Sequence, residues 1–250
     1  MNKKFVLILL VVGLIGSCEK QSPCDVLVNG VYQFPELPEN HNMTSQEVTE
    51  FWDLPENICN CITTEGLIET IMNYPELRLI TAGANPQSGY NLLVRERFRG
   101  SRELESRPDR ATYLLEKYKT LDPFGYNQDW EPAKIGAFIF YINDFELIIS
   151  QYVNLEPLTG EERIELIEKV LSVYEKKKSN SDKYSTWSLS RTMVIASRMM
   201  KLSDFSPFML VYIENNAVWE VNEYYYPVTY ETLDIIYNLS IEYLDNLKNK

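Results

Sequence analysis

Past residue 46, apolar residues recur at three- and four-residue spacing in block after block, with prolines at or next to the block starts: Pro55, Pro75, Pro86, Pro108 and Pro132. That period is one face of an α-helix, and the first helical turn tolerates proline because the N–H it lacks has no intrahelical partner there. Helices with one apolar stripe must bury those stripes against each other. The chain therefore reads as all-α: a single multi-helix domain, α/α layered or an irregular superhelical array.

The clearest block is GEERIELIEKVLSVYEKKK, Gly160 to Lys178. Ile164, Ile167, Leu171 and Tyr174 share a face, while Glu161, Glu162 and Glu165 crowd the first turns and Lys176 to Lys178 the last, each charge at the end of the helix dipole that favours it. Lys134 to Tyr152, KIGAFIFYINDFELIISQY, is apolar almost all round and predicts a central, buried helix. The spacing predicts further helices over 55–61, 64–73, 75–83, 87–98, 100–107, 109–120, 186–201 and 229–248. Phe208 to Val221 fits either a helix followed by a second short one or two strands turned at Asn215-Asn216. A hairpin isolated among helices has no sheet to join, which favours the helices.

The amino terminus is organised differently. Lys3 and Lys4 precede an uncharged run from Phe5 to Ile15, then Gly16, Ser17 and Cys18. This is the layout of a secretory signal, and the run is far shorter than the roughly 20 apolar residues that cross a bilayer. Ile15-Gly16-Ser17-Cys18 resembles the lipobox of bacterial lipoproteins, which implies that the Cys18 thiol receives a diacylglyceryl group with palmitate-type chains, and that the chain is then cut just ahead of Cys18, which becomes its first residue. Several acyl chains on one residue hold far more firmly than a single myristoyl group. The expected organisation is a lipoprotein signal peptide over 1–17, a proline-containing tether over 18–46 and a helical domain over 47–250. The expected location is the bacterial cell envelope, lipid-anchored in a membrane, the outer rather than the inner.

Removing two lysines with the signal takes the formal net charge from −12 to −14. So acidic a chain would repel nucleic acid, which removes that class of partner. Outside the cytoplasm a disulfide is permitted, and Cys24 can reach Cys59 or Cys61, whereas Cys59-x-Cys61 is too strained to close on itself. One thiol is left over in either pairing, and the competing outcome is that all remain buried free thiols, since a chain of this length can carry its fold on its core alone.

Two stretches, TTEGLIETIMNYPEL (Thr63 to Leu77) and RFRGSRELESRPDRATYLLEKY (Arg97 to Tyr118), are similar to segments of uncharacterised all-helical secreted and lipid-anchored proteins of Bacteroidota, the hypothetical lipoproteins of that group. The resemblance covers about a seventh of the chain and does not extend to Cys59 and Cys61. It implies an all-helical envelope protein and assigns no functional residue.

Most catalytic constellations fail on inventory. The single histidine, His41, stands in the tether, so a Ser-His-Asp or Cys-His site would take its base from outside the helical domain. The pattern S-x-x-K occurs at Ser17 to Lys20, across the expected cleavage point. No phosphate loop, zinc-protease helix or nucleophile elbow is present, and the cysteines and one remote histidine are too few for structural zinc. The expectation is no cofactor and no metal. Asp144 and Glu146 interrupt the most apolar helix, where burial would raise a carboxyl pKa, but residues two apart on a helix point in different directions and more simply mark its polar edge.

Two binding features stand out. Trp219, Tyr224, Tyr225 and Tyr226, in VWEVNEYYYPVTY, suit a patch that stacks on a sugar ring or a peptide side chain, and equally suit packing at the rim of a core. Residues 91–110 hold six of the ten arginines against four acids. On a continuous helix Arg95, Arg99 and Arg102 would share a face as a possible anion-binding site; the competing outcome is a set of ion pairs with the protein's own acids. The function this supports is a lipid-anchored, non-catalytic helical interaction module binding a protein, peptide or glycan, with a carboxylate-dependent hydrolase at the envelope as the alternative.

Overall fold

The computed structural model of the protein describes residues 22–249; the signal segment and Cys18 lie outside the described residues. The helices are α1 (Ser45–Phe51), α2 (Glu56–Cys59), α3 (Thr64–Met72), α4 (Pro86–Tyr90), α5 (Arg99–Ser106), α6 (Arg110–Thr120), α7 (Pro132–Ile149), α8 (Tyr152–Leu155), α9 (Gly160–Lys178), α10 (Thr186–Leu202), α11 (Ser206–Glu214), α12 (Asn216–Tyr224) and α13 (Tyr230–Lys248). Short 3-10 turns at Pro23–Val26 and Pro75–Ala82 and a π turn at Asn91–Arg95 complete the set. No β-strand forms among the described residues; Val28 and Val31 make one isolated bridge. The all-α class follows, as one compact domain around a single apolar core.

Local chemistry sets the boundaries. Thr159 caps α9 in a reciprocal box with Glu162, Thr63 caps α3, and Asn85 caps α4 with Ser88 while Pro86 opens that helix. Pro132 opens α7. Between α11 and α12, Asn215 accepts from the N–H groups of Ala217 and Val218, so it serves as a helix cap and not as a hairpin turn. The stretch 208–221 is accordingly two helices.

The central helix is α10, not α7. Every residue from Ser188 to Met200 is buried, and α10 touches α7, α8, α9, α11, α12 and α13. Its small Ser, Thr and Ala side chains let neighbours approach from all sides. In α7 continuous burial begins only at Ile142, and Phe140 is 48% exposed. Uniform apolarity therefore failed to identify the most enclosed helix.

The expected tether is, from Ser22 onward, attached to the domain. A disulfide joins Cys24 to Cys61, leaving Cys59 as a buried thiol. Tyr32 donates its backbone N–H to Thr70 Oγ1 at 3.1 Å, the Phe34 ring packs against Tyr74 and Phe98, and Trp52 Nε1 donates to the Pro35 carbonyl. The turn at Asn29-Gly30, both at positive φ, brings the Gly30 carbonyl so close to Gly66 that a Cβ there would lie 2.1 Å from it. Residues 22–35 thus form a strap, a 3-10 turn at Pro23–Val26 and a tight turn at Asn29-Gly30 followed by irregular chain, whose apolar side chains show no α-helical period because no α-helix forms there.

Candidate functional site

The arginine-rich segment does not form one continuous face. After the π turn, Phe98 is extended and ends the helix, and Arg99 restarts it. Gly100 sits in the first turn of α5, where a Cβ would lie 2.5 Å from the Phe98 ring. Arg99 donates to the Leu54 carbonyl at 2.8 Å and faces Asp53, Arg102 donates to the Glu96 carbonyl, and Arg95 Nε lies 3.0 Å from Glu105, off the line of a hydrogen bond. Arg107 holds the carbonyls of Cys59 and Ile62. Arg99 and Arg107 brace α5 against the chain on either side of α2, while Arg95 and Arg102 tie α5 to the end of the π turn.

The aromatic run is also divided. Trp219 meets Tyr224 edge-on at 5.1 Å, Tyr224 lies 5.9 Å from Tyr226, and Tyr226 reaches the Ala84 carbonyl. Tyr225 leaves this group. At φ 60°, just past the end of α12, it turns inward and is fully buried.

The two carboxylates of α7 part in the same way. Glu146 is fully buried and accepts from Lys177 Nζ at 2.7 Å, the Thr192 hydroxyl at 2.8 Å and the Tyr118 hydroxyl at 3.1 Å. Lys177, one of the three lysines at the end of α9, is thereby drawn into the core, where burial pushes its pKa down against the pull of Glu146. Asp144 is 5% exposed; burial raises its pKa to about 7, opposed by Arg191 and Arg78. The pair faces no common cleft.

What the structure brings together instead is a pair of arginines seven residues apart on α10. Arg191 is 1% and Arg198 2% exposed, and the ion pairs among the described residues include neither. Both guanidinium groups lie near the Tyr225 ring, at 5.6 and 4.6 Å from its centroid; Arg191 also packs on Trp187 and Arg198 on Tyr152. Nε and Nη1 of Arg191 have no hydrogen-bond partner. Arg198 is well bonded but only to neutral groups: Nε to the Asn222 carbonyl at 2.9 Å, Nη1 to the Tyr225 hydroxyl at 2.7 Å and the Ser150 carbonyl at 3.2 Å, and Nη2 to Gln87 Oε1 at 2.9 Å. The Tyr225 hydroxyl also accepts from Gln151 Nε2, and Ser150 Oγ donates to the Leu147 carbonyl, so the Tyr225 proton points to Ser150.

Arg198 forms part of the wall of a 220 Å³ pocket, with Gln87, Asn91, Arg95, Tyr152 and Glu223 among the other lining residues. Burial acts to raise the Glu223 pKa, but hydrogen bonds from Lys201, Tyr212 and Asn222 outweigh it and hold the carboxylate below its usual range. All three bonds land on Oε1. Larger clefts exist, of 610 Å³ beside residues 227–232 and 450 Å³ beside Phe124 and Tyr126, but neither is lined by a buried charge. A buried cation without a counter-charge is costly, and a pocket opening on to it is where an anion or strong acceptor gains most. The signal in the sequence was two arginines spaced seven apart in the otherwise uncharged SLSRTMVIASRMM, Ser188 to Met200. No protein-family model, curated protein or solved structure matches this chain.

Proposed function

We propose that the protein is a non-catalytic binding module, held at the bacterial envelope by lipid on Cys18, and that the pocket over Arg198 is its ligand site. The observation that carries this reading is the pocket wall itself: a buried guanidinium, bonded only to neutral partners and not neutralised by any carboxylate, at the edge of a space large enough for a small molecule. The envelope location rests on the lipobox-like end and is supported by the Cys24–Cys61 disulfide, which suits an oxidising compartment. Among the described residues no helix is long and apolar enough to cross a membrane, so a lipid would supply the attachment.

The hydrolase alternative has less behind it. Glu146 is committed to Lys177, Asp144 lines none of the clefts described above, and of three glutamates around a 310 Å³ cleft, Glu69 and Glu116 are paired with Lys117 and Lys119.

The test compares the wild type with Asn91→Phe, which fills the pocket from a half-buried position on its wall. In a metabolite library read by thermal shift, some compounds should stabilise the wild type saturably and leave the filled variant unmoved. A library in which every stabilising compound acts equally on both proteins would remove the pocket as the site.

A further inference from the structure

Resting on the reading of this pocket as the ligand site, we infer that its ligand is a small organic carboxylate bearing a hydroxyl or ammonium group. The pocket is rich in donors that no described residue uses. A guanidinium has five N–H bonds, and Arg198 spends four, leaving one on Nη2. Asn91 Oδ1 accepts from Gln87 Nε2 at 2.8 Å, and its own amide nitrogen donates to no atom of the described residues. The Tyr152 hydroxyl accepts from Asn222 Nδ2 at 2.8 Å, so its proton is free to donate. Three donors from three segments therefore line one small space, and one of them carries a full charge. A carboxylate accepts several hydrogen bonds and neutralises that charge, and charge-assisted bonds to a guanidinium are the strong kind.

The charge count sets the valence. Arg95, at the rim, already faces Glu105. Glu223 on the same wall pairs with Lys201. One uncompensated positive charge remains, Arg198, and it matches a monoanion; a phosphate dianion would meet the Glu223 carboxylate with a charge to spare. Glu223 Oε2, free of the bonds that crowd Oε1, is the acceptor that would receive a ligand hydroxyl or ammonium. At 220 Å³ the space is below the roughly 300–1,000 Å³ of drug-sized sites, so the ligand, or the part of it that enters, is a few heavy atoms in size.

The experiment pairs each carboxylate with the amide that lacks its negative charge: lactate with lactamide, alanine with alaninamide (both of which keep the ammonium), and inorganic phosphate as the dianion arm. Each is titrated by thermal shift at constant ionic strength, because screening alone would also relieve a buried arginine. Lactate or alanine should half-saturate at a concentration at least tenfold below its amide and below phosphate. Asn91→Asp keeps the pocket open and the side chain isosteric while adding a negative charge to its wall. It should weaken lactate at least tenfold and lactamide, which carries no charge, far less, a selectivity that a loss of folding would not produce. Amides binding as well as carboxylates, or phosphate binding best, would overturn the ligand class while leaving the pocket as the site. No response to any of these probes, alongside library compounds that Asn91→Phe abolishes, would likewise overturn the carboxylate alone. No Asn91→Phe-sensitive compound of any kind would remove both.

Discussion

At the scale of single residues, this core holds charges that a helical domain does not need for its fold. Glu146 and Lys177 are the balanced case: both are fully buried, and Glu146 gains two hydroxyl donors and Lys177 the Asn143 side-chain oxygen, so the cost of removing them from water is offset by direct bonds. Asp144 is the unbalanced one. Its pKa is raised to about 7, so the folded protein binds a proton more readily than the unfolded chain. The folded state is therefore favoured below the carboxyl's ordinary pKa near 4, and this contribution is lost as pH rises from there through about 7. Asp144→Asn, neutral at every pH, removes that loss. Its stability relative to wild type should be similar near pH 4 and greater by about 2–4 kcal/mol above pH 7, the size expected for a shift of this magnitude in a buried group. Denaturant melts of both proteins across that range check it, and a constant difference would mean that folding does not raise the Asp144 pKa.

At the scale of elements, most helices were legible because each carries its own period and start signal. The charged ends of α9 and the Pro86 start of α4 are local features that the structure uses as the sequence suggests, and the Thr159 box of α9 and the Asn215 cap between α11 and α12 are equally local. What local signals could not convey was which partner a side chain meets. The dense arginines of 91–110 drew attention as an anion site, yet a segment holding nearly as many acids and many nearby carbonyls spends its guanidinium groups internally. The sparse arginines of α10 matter more because no acid accompanies them. The strap was hidden for another reason: its contacts, from Cys24 to Cys61 and from Tyr32 to Thr70, span tens of residues and follow no short period. The strap yields a prediction of its own. Alkylation of the native oxidised protein should modify none of the three cysteines in the strap region, since Cys24 and Cys61 are paired and Cys59 is 5% exposed with its thiol pushed up by burial. Mild reduction should expose Cys24 and Cys61 to reagent while Cys59 stays protected until the protein unfolds. Mass spectrometry of the labelled peptides reads this directly, and rapid labelling of Cys59 after reduction would show that the α2 corner opens once the strap is released.

At the scale of the whole molecule, the strap changes what a lipid on Cys18 would do. A free tether reaching to residue 46 would let the domain range far from the bilayer. The disulfide at Cys24 shortens it, because only five residues separate Cys18 from a cysteine fixed to the domain. Fully extended, that link spans about 20 Å at most. The anchored protein should therefore sit against the membrane surface, despite a net charge that anionic head groups repel. The expected measurement is energy transfer from the four tryptophans to a dye on the lipid head groups of vesicles carrying the lipidated protein. Trp52, hydrogen-bonded to the strap at Pro35, ties one donor to the anchored side. Transfer should be strong in the wild type and fall sharply when about twenty flexible Gly/Ser residues are inserted between Cys18 and Ser22, because a coil of that length has a root-mean-square span of roughly 25 Å and a much longer limit. Cys18→Ala should abolish both vesicle attachment and transfer. If Cys18→Ala still takes up labelled fatty acid, the lipid lies elsewhere. If the inserted spacer leaves transfer unchanged, the domain is held at the surface by contacts of its own, independent of the disulfide-shortened link.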